Sequence, residues 1–342
     1  MATIKNETGK KILRSYYILF ILIGVFVVLN LSSGGLFLAQ ASITNILRVG
    51  ASPLIIAVPA TLLLITGNID LSVGGMCSMV AVIYAHLVGH TFTVPIVASM
   101  FIVIGVGAAA GWFNGFLVAK LKITSVIATL ATMSLFWGIA KVLVPQNKDM
   151  IKDNMPANMM IFAKSNAILN IPPSMVVCII AVVIFVILEK KSILGKYAIA
   201  VGGNQVAAQL AGINAQKVTW IIYILTGAMT GVAGVIRASY MNAGDMNVGT
   251  GLEVLVIIAI LLGGTSFSGG KGSILKTVAA VFILVGLDKG LTLMGVPSYW
   301  SMLINGIVFI TALVIDNAMT LNEIGQRRKA GINRSLSRIE NT

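Results

Sequence analysis

Charge is scarce in this chain. Only 10% of its residues are charged, against about a quarter in soluble domains, while 57% are apolar and the mean hydropathy is +0.97. A chain of 342 residues with that balance has little room for a soluble domain. Ten apolar segments can be drawn, roughly at 15–37, 50–66, 73–89, 94–119, 123–144, 173–189, 218–239, 251–264, 273–294 and 298–316. The expected fold is an all-α polytopic membrane protein of about ten transmembrane helices. The first segment follows Lys10, Lys11 and Arg14, as a signal peptide would, but no small-residue cleavage site comes after it. It reads as a retained helix.

The net charge of +13 is explained by where the cations fall. With the N-terminus inside, seventeen Lys and Arg lie on inner segments and five, Arg48, Lys148, Lys152, Lys164 and Arg237, on outer ones. That asymmetry is the positive-inside pattern, so the basicity sets orientation and does not indicate nucleic acid. Residues 1–14 then form a cytoplasmic N-terminal segment, 15–316 the transmembrane domain, and 317–342 a basic cytoplasmic tail. The tail, from Arg327 to Arg338, is suited to anionic lipid heads. Two loops are long: an outer one over 145–172 and an inner one over 190–217.

The segment Gly67-Asn68-Ile69-Asp70-Leu71-Ser72-Val73-Gly74 recurs 175 positions later as Asn242-Ala243-Gly244-Asp245-Met246-Asn247-Val248-Gly249. The same offset aligns Gly111 with Gly286 and Gly115 with Gly290. Five segments separate the two Asp residues, an odd number, which predicts an inverted-topology internal repeat. The segments after each Asp are short and interrupted by glycine, the sequence mark of a translocation pathway. Two roles are open for Asp70 and Asp245. They could cap helix N-termini, or line the route together with Asn68, Ser72, Asn247, Glu253, Thr265 and Ser266. Gly107, Gly111, Gly115, Gly227, Gly231, Gly286 and Gly290, at one-turn spacing, are expected to let helix backbones approach closely.

No constellation of catalytic residues is present. Ser266-Phe267-Ser268-Gly269-Gly270-Lys271-Gly272 lacks the Gly at 265 and the Ser or Thr at 272 that a phosphate-binding loop needs. His86 and His90 have no third ligand and read as interfacial residues; Cys77 and Cys178 match no metal or disulfide spacing. No metal or cofactor is expected in this chain.

The inner loop is more informative. Asn204 is a good N-cap, 206–211 a short helix of small residues, and Gly212 its stop. A short, weakly charged helix between spans suits insertion into a groove on a partner protein. It lacks the basic face of a helix lying on a membrane.

Three motifs together resemble one family. They are Gly67-x-Ile69-Asp70-Leu71-Ser72-Val73-Gly74, then Gly203-Asn204-x-x-Ala207-Ala208-x-x-Ala211-Gly212-Ile213, and Gly249-Thr250-Gly251-x-Glu253 followed by Leu262-Gly263-Gly264-Thr265-Ser266-x-x-Gly269-Gly270-x-Gly272. The chain is similar over residues 40 to 318 to the permease subunit of ribose-type carbohydrate ABC importers, within the branched-chain amino-acid and sugar permease group. That resemblance implies a second permease chain, identical or different, a separate ATPase subunit that holds ATP and Mg, and an extracytoplasmic sugar-binding protein. It implies coupling to the ATPase through Asn204, Gln205, Ala207, Ala208, Ala211, Gly212 and Ile213, and residence in a bacterial inner membrane. The chain departs from the pattern at Leu252 and Leu255, where ribose-type members carry an aromatic residue and an Asp. The alternative reading is a proton-coupled secondary transporter titrating Asp70, Asp245 or Asp288, since carboxylates inside a membrane are costly and usually functional.

Overall fold

A computed structural model describes residues 2–162, 171–297, 299–314 and 317, with the backbone alone at 2–16 and His90. The helices are α1 (Ala2–Ser32), α2 (Gln40–Ile65), α3 (Val73–Ala85), α4 (Ile96–Gly115), α5 (Ser125–Leu143), α6 (Pro173–Lys191), α7 (Ile193–Gly203), α8 (Gln205–Leu210), α9 (Ala215–Met241), α10 (Leu252–Leu262) and α11 (Ile274–Leu293). A further helix, α12, spans Tyr299–Val314. Single π-helical turns extend α3 (His86–His90) and α4 (Phe116–Lys120). Among the described residues five helices, α2, α4 with its π-turn, α5, α6 and α9, are long and apolar enough to cross a membrane. The protein is an all-α membrane protein. The basic tail lies outside the described residues, apart from residue 317.

α2 is apolar on every side, and such a helix belongs in a core. From Gly50 to Ile65 every residue is buried. It begins ten residues before the segment expected at 50–66, because Gln40 to Val49 extend the helix although they are less apolar. The adjacent pair α4 and α9 is built on glycine. A Cβ on Gly227 would stand 2.8 Å from Gly111 Cα, and one on Gly107 would stand 3.0 Å from Gly231 Cα. With no side chains between them the two backbones touch, and dispersion acts over the whole seam.

The expected equivalence of Gly111 and Gly115 with Gly286 and Gly290 fails at the level of contacts. The first two face the α9 backbone and Trp220, whereas the second two receive the side chains of Phe26 and Leu29 from α1. Two parts of the loops have structure that hydropathy did not signal. Met150–Ile151 pairs antiparallel with Gly244–Asp245 as a two-stranded ribbon. α7 fills the first half of the inner loop, with the Ser192 hydroxyl accepting from Gly195 N at 3.2 Å. His86 ties the end of α3 to α5, its ring nitrogens lying 2.7 Å from Thr91 Oγ1 and 2.8 Å from Leu143 O. Cys77 and Cys178 are both free and buried.

Candidate functional site

Asp70 stands in the loop between α2 and α3 and is 5% exposed. Its carboxylate accepts from Ser72 N at 2.9 Å and Ser72 Oγ at 2.6 Å. Asn114 of α4 donates to both carboxylate oxygens at 3.4 Å and to Ser72 Oγ at 2.7 Å. The loop backbone is held as well: Tyr223 OH donates to Ile69 O at 2.9 Å, and Leu71 N donates to Thr129 Oγ1 at 3.1 Å. Asp70 therefore closes an Asx turn inside a network contributed by α4, α5 and α9. It accepts from no N–H within α3, so it is not a helix cap.

Asp245 repeats the turn. Its Oδ1 accepts from Asn247 N at 2.7 Å, two residues on, as Asp70 accepts from Ser72. It too leaves the following helix uncapped; α10 starts from Gly251, held at φ 80° with no side-chain cap. The surroundings differ. Asp245 lies in the ribbon with Met150 and is partly exposed.

From there the chain runs back along α3. Gly244 lies against Ala81, Val82 and Ala85, while Gly249 N donates to Ser78 Oγ at 3.0 Å. α10 thus begins partway along the bundle, beside the first turns of α3. Its 11 residues rise only ~16 Å, about half of a hydrocarbon core. Glu253 stands in its first turn, which places a carboxylate at a helix N-terminus. Its Oε2 is buried without a partner and lies over Gly74. Any side chain at 74 would occupy the space of that carboxylate and come within 2.7 Å of Gly249 O. The two repeated motifs therefore meet at Gly74, Ser78, Gly249 and Glu253.

A second convergence lies at the end where α2, α7 and α10 finish. Gly270 N donates to Ile65 O at 2.8 Å. Gly202, at the end of α7, lies over that bond: its Cβ would stand 2.5 Å from Gly270 N and overlap Ile65 O. A Cβ on Gly269 would stand 2.9 Å from Gly67 N, and one on Gly270 2.9 Å from Gly203 Cα. The glycines of the 263–272 loop thus make a backbone junction joining α2, α7 and the exit of α10.

α8 leaves that junction directly. Asn204 Oδ1 accepts from Ala207 N at 3.0 Å, and Gly212, at φ 82°, ends the helix where an L side chain would be strained. Ala208 is 5% exposed and packs with Val201 and Ala215 of its own chain. What α8 turns outward is Val206 and Leu210, 67% and 85% exposed, one turn apart. Asn204, Gln205, Ala207, Ala211 and Gly212 are exposed and Ile213 partly so. A recess of about 350 Å³ beside α8 is lined by Gln209, Gly212, Ile213, Asn214, Ala215 and Gln216.

The expected pathway residues do not form one cluster. Asp70, Ser72 and Thr265 are buried, Asn68, Asp245, Glu253 and Ser266 partly exposed, and Asn247 exposed. Asn114, Ser78, Gly202, Val206 and Leu210 were not singled out by sequence reasoning. The first four are ordinary membrane-helix residues until their neighbours are known. Leu210 was legible, as a large apolar residue at the end of an otherwise small, polar helix.

Residues 42–313 match the family described as branched-chain amino acid transport system, permease component. The chain belongs to that family. Among its relatives is the ribose import permease protein RbsC of Escherichia coli K12, 34% identical over 276 residues that cover 80% of this chain and 84% of the relative. RbsC of Bacillus subtilis 168 is 35% identical over 301 residues, 87% and 90% of the two chains. The galactofuranose transporter permease protein YtfT of Escherichia coli K12 is 31% identical over 274 residues, 80% and 79%. No solved structure matches the permease.

The Asp70 network gives a test of what this carboxylate does. Asp70→Ala strands the Ser72 and Asn114 donors, at about 1–3 kcal/mol for each group left unsatisfied, and should lower thermal stability markedly. Asp70→Asn keeps an acceptor for Ser72 N and should retain most stability and function. A carboxylate needed for proton coupling would instead lose all function as Asn with its stability intact. Thermal unfolding and uptake, measured on both variants, separate the two roles.

Proposed function

We propose that this chain is the transmembrane permease subunit of an ATP-driven (ABC) importer for a sugar or sugar-like solute. In this reading it lies in a bacterial inner membrane with both termini cytoplasmic. It pairs with a second permease chain, docks an extracytoplasmic sugar-binding protein on its outer loops, chiefly 145–172, and takes its energy from ATP and Mg on a separate ATPase. Family membership and relatives named for ribose and galactofuranose support the solute class.

The architecture in this reading is ten spans with an inverted repeat. Helix starts support it: α2 begins at Gln40 and α9 at Ala215, 175 positions apart, and α4 at Ile96 pairs with α11 at Ile274. α2 and α9 are antiparallel, since Ser52 reaches Ala233 O while Arg48 lies over the Tyr240 ring, 5.9 Å from its centroid. The shared Asx turns add to it. The route runs past Asn68, Asp245, Asn247, Glu253 and Ser266, while buried Asp70 and Ser72 hold the loop between α2 and α3 and the buried Thr265 hydroxyl has no partner among the described residues. Glu253 and neighbouring hydroxyls offer a neutral polyol hydrogen bonds too few to trap it.

One observation carries the coupling role: α8 is anchored to its own chain through Ala208 and presents Val206 and Leu210 outward. The ATPase takes those two side chains, so the contact lies on Val206 and Leu210 and not on Ala208. Their displacement is passed through Gly202 to Ile65 and Gly270, hence to the Asp70 loop and to α10. Leu210→Glu should leave the chain folded, with an unchanged unfolding midpoint, yet reduce ATP-driven uptake at least ~10-fold, the scale of an interface anchor. Reconstituted chain, ATPase and binding protein provide the assay. Uptake by Leu210→Glu at the unmodified rate, or uptake on a proton gradient without ATPase, removes the proposal.

A further inference from the structure

At the end of the bundle that carries α8, the glycine seam of α4 and α9 opens into an aromatic shelf. The Trp112 and Phe116 rings lie parallel within 6° at 5.8 Å, and Trp220 leans on both at 5.6 and 6.3 Å. The shelf is fixed: Gly115 leaves the space that Trp220 fills, and the Trp220 indole N–H donates to Trp112 O at 3.0 Å. It also faces outward, with Trp112 48% and Phe113 37% exposed. The neighbours Leu121, Ile123 and Ile221 extend it as exposed apolar surface.

The rim of this shelf is cationic. Lys217 precedes Trp220 by three residues in the first turn of α9, and Lys120 follows Phe116 by four through the π-turn, so each shares a helix face with a shelf ring. Both are exposed, as is Lys122. Among the described side chains no carboxylate balances them. At this end Asp70 and Glu189 are buried. The exposed carboxylates Asp149, Asp153 and Asp288 lie toward the other end of the helices.

We propose that the Trp112–Phe116–Trp220 shelf with Lys120 and Lys217 is a binding site for an anionic phospholipid. A soluble anion would use the lysines and leave the rings idle, and an apolar protein face would use the rings and strand the lysines. A lipid uses both, its phosphate on the ammonium groups and its acyl chains along Trp112, Phe113 and Ile221. α9 begins right after α8 through the Asn214 cap, so an occupied shelf stiffens the helix that follows the docking element.

That this end lies at a membrane surface rests on the proposed topology, whereas the lipid preference needs neither ATPase nor substrate. The chain alone is therefore placed in nanodiscs of phosphatidylcholine doped with brominated phosphatidylglycerol or, at equal fraction, brominated phosphatidylcholine. Bromine quenches tryptophan at contact. The anionic lipid should be enriched on the order of tenfold at the shelf, and quench more strongly. The difference should vanish in the Lys120→Gln/Lys217→Gln double variant, which keeps all three rings, and in Trp112→Phe/Trp220→Phe, which removes the reporters. It should also fall as salt rises. Equal quenching by the two lipids in the unmodified chain reduces the shelf to an ordinary interfacial belt. No quenching of Trp112 and Trp220 by either lipid shows that the shelf does not face lipid. A preference that survives the lysine changes places the site elsewhere. Each of these outcomes overturns the proposal, and none bears on ATP-driven uptake.

Discussion

Gly202→Ala should damage this protein while Gly203→Ala, one residue on, should be harmless or mildly stabilising. Both positions end α7, and Ala is the better helix former by about 1 kcal/mol. Nothing lies within 4 Å of a Cβ on Gly203, so the propensity gain stands alone. At Gly202 the added methyl meets Ile65 O and Gly270 N, both backbone atoms bonded to each other, and no side chain can swing aside. Overpacking typically costs about 1–3 kcal/mol, and parting that hydrogen bond adds to it. The check is thermal unfolding of the two variants side by side, with yield of inserted chain as a second readout. Equal midpoints would show that α7 does not bear on the α2–α10 junction. If the coupling reading is right, any Gly202→Ala protein that does fold should hydrolyse ATP with its partner but import poorly.

The second large effect is expected at Gly111. Gly111→Leu should abolish assembly of the bundle, whereas Gly286→Leu should yield a folded, weakened protein. Symmetry of the repeat predicts equal damage, and the contacts predict otherwise. A Leu at 111 must push apart two helix backbones, because Tyr223 O and Gly227 Cα stand where its Cβ would go. The loss then spreads along the whole α4–α9 seam, beyond about 3 kcal/mol if packing at several turns is forfeited. At 286 the obstacle is the edge of the Phe26 ring, a side chain that can turn aside where a backbone cannot. Size-exclusion profiles and unfolding midpoints of the two variants decide it; similar losses would restore the symmetric expectation.

Much of this protein is legible in its sequence alone. The scarcity of charge dictates an all-helical membrane protein, because lipid cannot hydrogen-bond a free backbone and helices satisfy it internally. The pattern Asn204, small residues, Gly212 specifies α8 locally, since a side-chain acceptor at the start and a left-handed residue at the end act within one turn of chain. The motifs that mark the permease family are contiguous stretches, and so are legible as text.

Only the tertiary structure decided the rest. Hydropathy cannot tell a crossing helix from α10, whose 11 residues start beside Gly74; where a helix begins in depth is set by what it packs on. Asp70 and Asp245 look alike in sequence and make the same turn. One is enclosed by Asn114 and Ser72, the other lies in a ribbon with Met150, because different elements pass beside them. Ala208 and Leu210 are two residues apart on one short helix, and the side that meets the chain's own Val201 and Ala215 fixes which of them is free to meet a partner. Composition and local capping are properties of neighbours in sequence. Depth, enclosure and outward face are properties of neighbours in space, and for this chain those contacts join residues as far apart as Ile65, Gly202 and Gly270.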